Sequence, residues 1–282
     1  MNLTIDNPET RLGPRLPKVI VTRAPDESKS WSVGLLAAGY EVVSLPLIHI
    51  QLAPDPVAIE AAAQQLSTYR AVMFVSAHAA AGFLYGAVPA LEPVFQARQI
   101  RAWVTGPGTR QALMAMGIDA TCIDAPAHDA PQLDSESLWQ SAGHHLVAGD
   151  RVLIVRGTDE APYASFAGPA VGMGRNWLAE RIRQAGCEVD FVVAYARLKP
   201  RFTPDQVRQV QQWAGDGTVW VLSSTQAVMN LQAALPDQVW SYAKALVTHP
   251  RIEDAARQAG FVRVVQCKPV LEELLSSLQS LH

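Results

Sequence analysis

The pattern of apolar and polar positions near the start of the chain predicts a strand, a helix and a second strand. Residues 19–21 form a β-branched run that is too short for a helix and is typical of a buried parallel strand. Trp31, Leu35 and Ala38 then recur at i, i+4 and i+7, which places them on one apolar face of a helix. Gly39 stands where a helix commonly ends in a left-handed residue, and a strand-like run follows it.

The same order of strand, helix, glycine and strand recurs three more times along the chain. The glycines that end these later helices are Gly117, Gly186 and Gly260. Two shorter versions, at residues 72–84 and 219–231, place serines between a strand and a helix. Strands that alternate with helices indicate a parallel sheet covered by helices on both faces, so the sequence predicts an α/β fold.

Two extended segments, at residues 47–53 and 194–200, interrupt this pattern; Pro54 follows the first and Pro200 ends the second. They bracket about half of the strand–helix units, so we expect one α/β domain to be inserted into another, with these two segments as linker strands. Two backbone crossings would form a hinge, and a cleft would lie between the domains. The predicted domains are residues 17–46 with 201–282, and residues 54–193.

Composition narrows the possible classes of protein. The chain has 282 residues, 49% of them hydrophobic and 17% charged, which allows a sizeable core. Its formal net charge of -3 argues against a nucleic-acid-binding protein, which would need a concentrated basic face. Residues 1–16 are polar and predict a disordered tail without a signal peptide. No apolar run approaches the roughly 20 residues that cross a bilayer, so we expect a cytoplasmic protein.

The sequence offers no complete signature for a metal or a cofactor. Cys122, Cys187 and Cys267 lie far apart, and we expect buried free thiols. The histidines lack metal-ligand spacing. Residues 106–109, GPGT, resemble part of a dinucleotide loop, but Gln111 occupies the position of its third glycine and no P-loop lysine follows. We therefore predict no metal and no cofactor.

The loops that follow the predicted strands carry similar kinds of side chain. Ligands of open parallel sheets bind beyond the carboxyl ends of the strands, and helix N-termini there attract anions. These loops carry hydroxyls, glycines and arginines: TRAPDES, SAHA, TGPGT, RGT, SSTQ and THPR. Their recurrence favours a site for a small molecule with many carboxylates or phosphates. The alternative, that each Ser, Thr or Asp only caps a helix, stays open for any single loop.

From about residue 18 onward the chain resembles the uroporphyrinogen-III synthase family. The matching segments, in order, are VTRA, SLPLIHI, FVSAHAAAGFL, VTGPGTRQAL, SESL, VLIVRG, GCEVDFVVAYAR and VLSSTQAVMNL. The resemblance implies two flavodoxin-like α/β domains with parallel sheets, one inserted in the other and joined by a two-stranded linker. The chain departs from the family in a longer loop, Thr158–Met173, and in THPRI, where many relatives carry a glycine-threonine turn.

The resemblance also implies an activity. The family closes hydroxymethylbilane to uroporphyrinogen III and water, with inversion of ring D and without a cofactor, in tetrapyrrole and heme biosynthesis. We therefore expect a lyase, with a transient contact to hydroxymethylbilane synthase, no nucleic acid or membrane partner, and a monomeric state. A competing hypothesis is a non-enzymatic, two-lobed α/β binding protein for a small anionic ligand.

The resemblance assigns roles to particular residues. Tyr195, in the second linker segment, corresponds to the tyrosine that assists departure of the substrate hydroxyl. Its alternative role is that of an amphipathic linker residue with its hydroxyl in water. The implied substrate contacts, each with a cap or turn as the alternative role, are Arg23, Ser76, Thr109, Arg156, Ser223, Ser224 and Thr248.

Overall fold

The computed structural model describes residues 16–86, 91–127, 130, 132–159 and 176–281. The predicted tail, apart from Leu16, and the predicted insertion at residues 158–173, apart from its first two residues, lie outside this part of the chain. The described residues divide into two compact units, with the changes between them at His49/Ile50 and at Leu198/Lys199.

The secondary structure alternates as the sequence predicts. The strands are β1 (Lys18–Val21), β2 (Glu41–Ser44), β3 (His49–Leu52), β4 (Ala71–Phe74), β5 (Arg101–Trp103), β6 (Ile123–Asp124), β7 (Arg151–Thr158), β8 (Glu188–Leu198), β9 (Val219–Leu222), β10 (Lys244–Val247) and β11 (Arg263–Gln266). The helices are α1 (Pro25–Ala37), α2 (Pro56–Gln64), α3 (Ala77–Gly86), α4 (Glu92–Ala97), α5 (Pro107–Ala115), α6 (Ser135–Ala142), α7 (Trp177–Gln184), α8 (Pro204–Trp213), α9 (Thr225–Ala234), α10 (Pro250–Gln258) and α11 (Leu271–Ser280).

Each unit contains one sheet. In the first unit the described strands are ordered β11-β10-β9-β1-β2, and each neighbouring pair is parallel. This is the 2-1-3-4-5 order of flavodoxin-like sheets. In the second unit the order is β3-β8-β7-β4-β5-β6, with parallel pairing from β8 to β6. Here β4 lies between β5 and β7, and β3 adds to the edge beside β8. The predicted parallel α/β architecture is confirmed.

Two segments near the predicted linker and insertion belong to long strands. The strand that precedes the predicted linker segment at residues 194–200 continues into it, and β8 ends at Leu198, because its pairing with β7 resumes after an irregularity between Arg156 and Gly157. Thr158, the first residue of the predicted longer loop, belongs to β7 instead, because it pairs with Ala196 as Gly157 pairs with Tyr195 inside the same sheet.

Helix ends follow the glycine signals of the sequence, with one correction. The glycines that end α1, α5, α7 and α10 all have φ between +80° and +102°, so their predicted left-handed conformation is confirmed. Ala38 is exposed, because α1 has already ended at Ala37, so its place on the apolar face was predicted wrongly. The N-cap of α6 is Asp134, whose carboxylate accepts from the Ser137 amide at 2.9 Å, and the SESL segment forms the first turn of the helix.

The core of each unit lies on both faces of its sheet. In the first unit, Trp220 faces a cluster with α8, α9 and α10, and Val221 faces another with α1 and α11. In the second unit, one cluster packs α2, α3 and α5 on the sheet, and the other packs α6 and α7. The three cysteines are buried, as predicted. Among the described helices, none combines the length and the apolar character needed to span a lipid bilayer.

Candidate functional site

The predicted site residues lie at the carboxyl ends of the strands in both units. In the first unit, Arg23 follows β1, Ser223 and Ser224 follow β9, and Thr248 follows β10. In the second unit, Ser76 follows β4, Thr109 lies in the first turn of α5, and Arg156 and Tyr195 lie near the ends of β7 and β8. Because the paired strands are parallel, each set shares one edge of its own sheet.

Tyr195 lies in the core of the second unit, where it is only 7% exposed. It belongs to the same apolar cluster as Phe83 and Ala80 of α3. The His78 ring, in the first turn of α3, has its centroid 5.6 Å from that of Tyr195, with the planes tilted by 43°. Gly157 is the partner of Tyr195 across the β7–β8 pair. The phenol therefore packs among α3, β7 and β8 at the carboxyl edge of the sheet.

The backbone of β8 bulges just before Tyr195. Arg156 is in register with Val193, whereas the next residue, Gly157, is in register with Tyr195, so Ala194 is the extra residue. Its carbonyl oxygen accepts a hydrogen bond from the Ala53 amide at 2.8 Å. Such bulges change the direction of the following side chain and are common next to active sites.

Arg156 is a buried cation without an acidic partner among the described residues. It is only 2% exposed, and its guanidinium carbon lies 3.9 Å from the centre of the Phe191 ring. Nη1 donates to Oδ1 of Asn176 at 3.4 Å. Within the described part of the chain, Nε and Nη2 have no hydrogen-bond partner. Burial, followed by the charge of Arg183, lowers the pKa of Arg156. An arginine nevertheless stays protonated in proteins, so the site keeps a desolvated positive charge.

The helix-capping alternative applies to some of the predicted residues and not to others. Ser76 caps α3, because its Oγ accepts from the Ala79 amide at 3.1 Å. Ser224 is the N-cap of α9, yet its side chain makes no capping hydrogen bond. At α10 the cap is His249, whose Nδ1 accepts from the Arg251 amide at 3.1 Å. Thr248, which precedes it and is half-buried, is not the capping residue.

The loop after β1 is tied to the neighbouring strand. Thr22 is buried, and its Oγ1 donates to the Val221 carbonyl at 2.7 Å. The guanidinium carbon of Arg23 lies 4.9 Å from the centre of the Trp31 ring in α1. This contact packs Arg23 against the side of α1, just beyond the carboxyl end of β1.

Sequence reasoning missed several residues that shape these sites. His78 and Gly157 contact Tyr195, and Phe191 and Asn176 contact Arg156. The segments FVSAHAAAGFL and VLIVRG contain two of them, but neither segment signals which residues meet across the strands.

The second unit also has a polar pocket at the opposite edge of its sheet, with a volume of about 480 Å³. Arg70, Gln99, Arg101 and His145 are among its lining residues. Arg101 is paired there with Asp124. Within the described residues, no cluster of three or more His, Cys, Asp or Glu side chains could hold a metal ion.

The fold and the strand-end residues define a two-unit parallel α/β protein whose loops carry hydroxyl and guanidinium groups. The family model described as uroporphyrinogen-III synthase HemD matches residues 29–276. The chain therefore belongs to the uroporphyrinogen-III synthase family, which places it among the lyases of porphyrin biosynthesis. The alternative of a non-enzymatic binding protein is not favoured.

Solved structures of this family share the fold. The uroporphyrinogen-III synthetase of Helicobacter pylori is 14% identical, with 95% of this chain and 100% of that chain covered and a TM-score of 0.56. A mutant uroporphyrinogen III synthase of the extremely thermophilic bacterium Thermus thermophilus is also 14% identical, with 94% of this chain and 98% of that chain covered and a TM-score of 0.51.

Proposed function

We propose that this chain is a cyclising hydro-lyase that converts hydroxymethylbilane into uroporphyrinogen III and water. The observation that carries the proposal is the family match, which spans nearly the whole chain and includes most of the predicted strand-end residues. The terminal hydroxyl of the substrate departs as water and leaves an azafulvenium. The substituted carbon of ring D, an electron-rich pyrrole carbon, attacks the methylene carbon of this azafulvenium to give a spiro intermediate. Fragmentation followed by closure then yields the inverted ring.

Tyr195 is the proposed proton or hydrogen-bond donor to the departing hydroxyl, which is a poor leaving group when it is not protonated. Its burial supports this role, because a phenol that packs in a core has a fixed position, whereas one on a mobile linker surface does not. General-acid assistance of this kind typically contributes on the order of 10²–10⁴ in rate. The remaining task of the enzyme is to hold the linear tetrapyrrole so that attack occurs at the correct carbon.

Arg156 is the proposed receptor for one substrate carboxylate. A guanidinium presents Nε and Nη2 side by side as a fork that matches the two oxygens of a carboxylate. These are the two buried nitrogens of Arg156 that have no partner within the described residues. A desolvated charge without an anion raises the free energy of the folded protein, and a bound carboxylate would offset that cost.

The remaining proposed substrate contacts supply hydroxyls and one further guanidinium at the strand ends. Ser224 supports this assignment, because it occupies an N-cap position without using its hydroxyl as a cap. Ser76 combines a capping role with the proposed contact. The other proposed contacts are Arg23, Thr109, Ser223 and Thr248.

The organisation and partners that the sequence predicts also remain proposals. We propose domains at residues 17–46 with 201–282 and at residues 54–193, with linker strands at 47–53 and 194–200. The enzyme acts in the cytoplasm as a monomer, without a metal or cofactor. It receives its unstable substrate through a transient contact with hydroxymethylbilane synthase.

The function is tested with hydroxymethylbilane generated by a purified hydroxymethylbilane synthase. After oxidation of the products, chromatography separates type III from type I porphyrin. The expected result is that this protein raises the type III fraction from the low value of spontaneous closure to nearly all of the product. A product that stays type I at every enzyme concentration would refute the assignment. A parallel reaction after exhaustive dialysis against a chelator tests independence from metal ions.

A further inference from the structure

Gly157 leaves the space that the phenolic end of Tyr195 occupies. A Cβ atom built on Gly157 would lie 2.4 Å from Cζ of Tyr195, and 2.6 and 2.7 Å from Cε1 and Cε2. Real Cβ atoms essentially never approach other atoms so closely, so any side chain at this position would have to move the ring. The position that a Cβ of residue 157 would occupy lies under Cζ of Tyr195, the atom that carries the hydroxyl.

A second glycine accommodates the bulge that turns Tyr195 toward Gly157. A Cβ on Gly82 of α3 would lie 1.8 Å from the carbonyl oxygen of Ala194, the extra residue of β8. Glycine inside a helix is destabilising relative to alanine, so a packing reason is expected for it. Here the reason is close contact between α3 and the bulged strand.

The bulge reverses the face on which Tyr195 lies. Val189 and Phe191 pack with the cluster of α6 and α7, whereas Val192 and Ala194 pack with the cluster that contains α3. Regular alternation would place Tyr195 on the same face as Phe191. Because Ala194 is inserted, Tyr195 joins the α3 face instead, directly over Gly157 and beside His78.

We propose that Gly157 and His78 are positioning residues for the reaction, because they fix where the hydroxyl of Tyr195 is presented. Gly157 sets the height of the ring above β7, and the His78 ring limits its lateral movement from α3. Neither residue needs to touch the substrate. This proposal rests on the proposed function, since it assigns both residues a role through Tyr195.

The test is a double-mutant cycle with Gly157→Ala and Tyr195→Phe, scored by kcat, KM and thermal unfolding. Phenylalanine keeps Cζ, so the steric conflict with a Cβ at position 157 is the same in both backgrounds. Only the hydroxyl differs. Gly215→Ala is the matched control, because a Cβ there would meet only the Gln212 carbonyl oxygen, at 3.9 Å.

The proposal expects Gly157→Ala to lower kcat at least about tenfold when Tyr195 is present and less than about twofold when Phe is present. The fall in melting temperature should be equal in both backgrounds. Equal losses of kcat would overturn the proposal, since Gly157 would then act through the fold or through substrate space. An unchanged kcat in the Tyr195 background would overturn it as well.

His78→Ala provides a second cycle that does not depend on whether Gly157→Ala folds. It should lower kcat about threefold or more with Tyr195 and have little effect with Phe, whereas His78→Phe, which keeps a ring, should restore most of the rate. An equal loss of kcat with Tyr195 and with Phe at position 195 would overturn the positioning role of His78. A different outcome would overturn the proposed function itself: neither the wild-type protein nor the Gly215→Ala control would yield type III product. The results that overturn only the positioning role all require an active wild-type protein, so the two failures are distinguishable.

Discussion

The guanidinium of Arg156 and the phenol of Tyr195 lie near the same ends of two paired strands but on opposite faces of their sheet. Arg156 packs on Phe191 beside α7, whereas Tyr195 packs in the cluster with α3. A ligand beyond the strand ends can meet both groups only at this edge, which lies at the position where parallel α/β sheets bind ligands. The two residues therefore have different roles. Substitution of Tyr195 should lower kcat, whereas substitution of Arg156 should raise KM.

Replacing Tyr195 by phenylalanine should lower kcat while leaving KM and stability nearly unchanged. The change removes only the proton donor, and we expect the loss to reach about 10² at most, the low end for general-acid assistance. The matched control is Tyr242→Phe, because Tyr242 is 74% exposed. Full turnover by Tyr195→Phe at saturating substrate would leave Tyr195 as a packing residue, with water or a substrate carboxyl as the acid.

Replacing Arg156 by methionine should weaken substrate binding and stabilise the fold. Loss of a charged hydrogen-bonded pair costs about 1.5–3 kcal/mol, so KM should rise roughly 10- to 100-fold. Removal of a buried charge that has no anionic partner among the described residues should raise the free energy of unfolding of the free protein. Arg156→Lys keeps the charge but cannot present two parallel N–H donors to a carboxylate, so its KM should also rise. If Arg156→Met instead lowers both the melting temperature and kcat, the guanidinium has a structural role.

Alanine substitutions at two strand-end serines should separate capping from binding. Ser76→Ala removes the hydrogen bond to the Ala79 amide and should lower the free energy of unfolding by about 1 kcal/mol. Ser224→Ala removes no capping bond and should leave stability within about 0.5 kcal/mol while KM rises. Denaturant unfolding measures the change in stability of both variants, and steady-state kinetics measures the change in KM. A Ser224→Ala protein with lower stability and unchanged KM would assign Ser224 to the helix cap alone.

The stability of the second unit should fall at high pH through Tyr69. Burial, followed by its hydrogen bond to Asp190, raises the pKa of Tyr69 to about 12. The folded state therefore holds this proton more tightly than the unfolded state, and the stabilisation present below about pH 10 is lost as the pH rises toward 12. Wild type and Tyr69→Phe should therefore converge in melting temperature between about pH 9 and 11.5. Parallel melting curves across this range would contradict the shifted pKa.

Much of the fold could be predicted because its signals are local. The run at residues 19–21 became a buried strand, and Gly39 adopts φ +89° after α1, since an L-residue with a Cβ disfavours that conformation. The order of such signals predicted a parallel α/β protein, and its family was indicated by the resemblance of longer segments such as VTGPGTRQAL to that family. Ala38 was predicted wrongly, because a single apolar residue fits several positions at a helix end.

The sequence by itself determined the alternation of strands and helices, the glycines that end the helices and the set of polar residues at the strand ends. Only the tertiary structure decided which face Tyr195 occupies, because the bulge at Ala194 depends on register with β7 and on close contact with Gly82, which is distant in sequence. It also decided that Arg156 is desolvated. Periodicity records the neighbours of a residue along the chain, whereas burial and pairing depend on segments that meet only after folding.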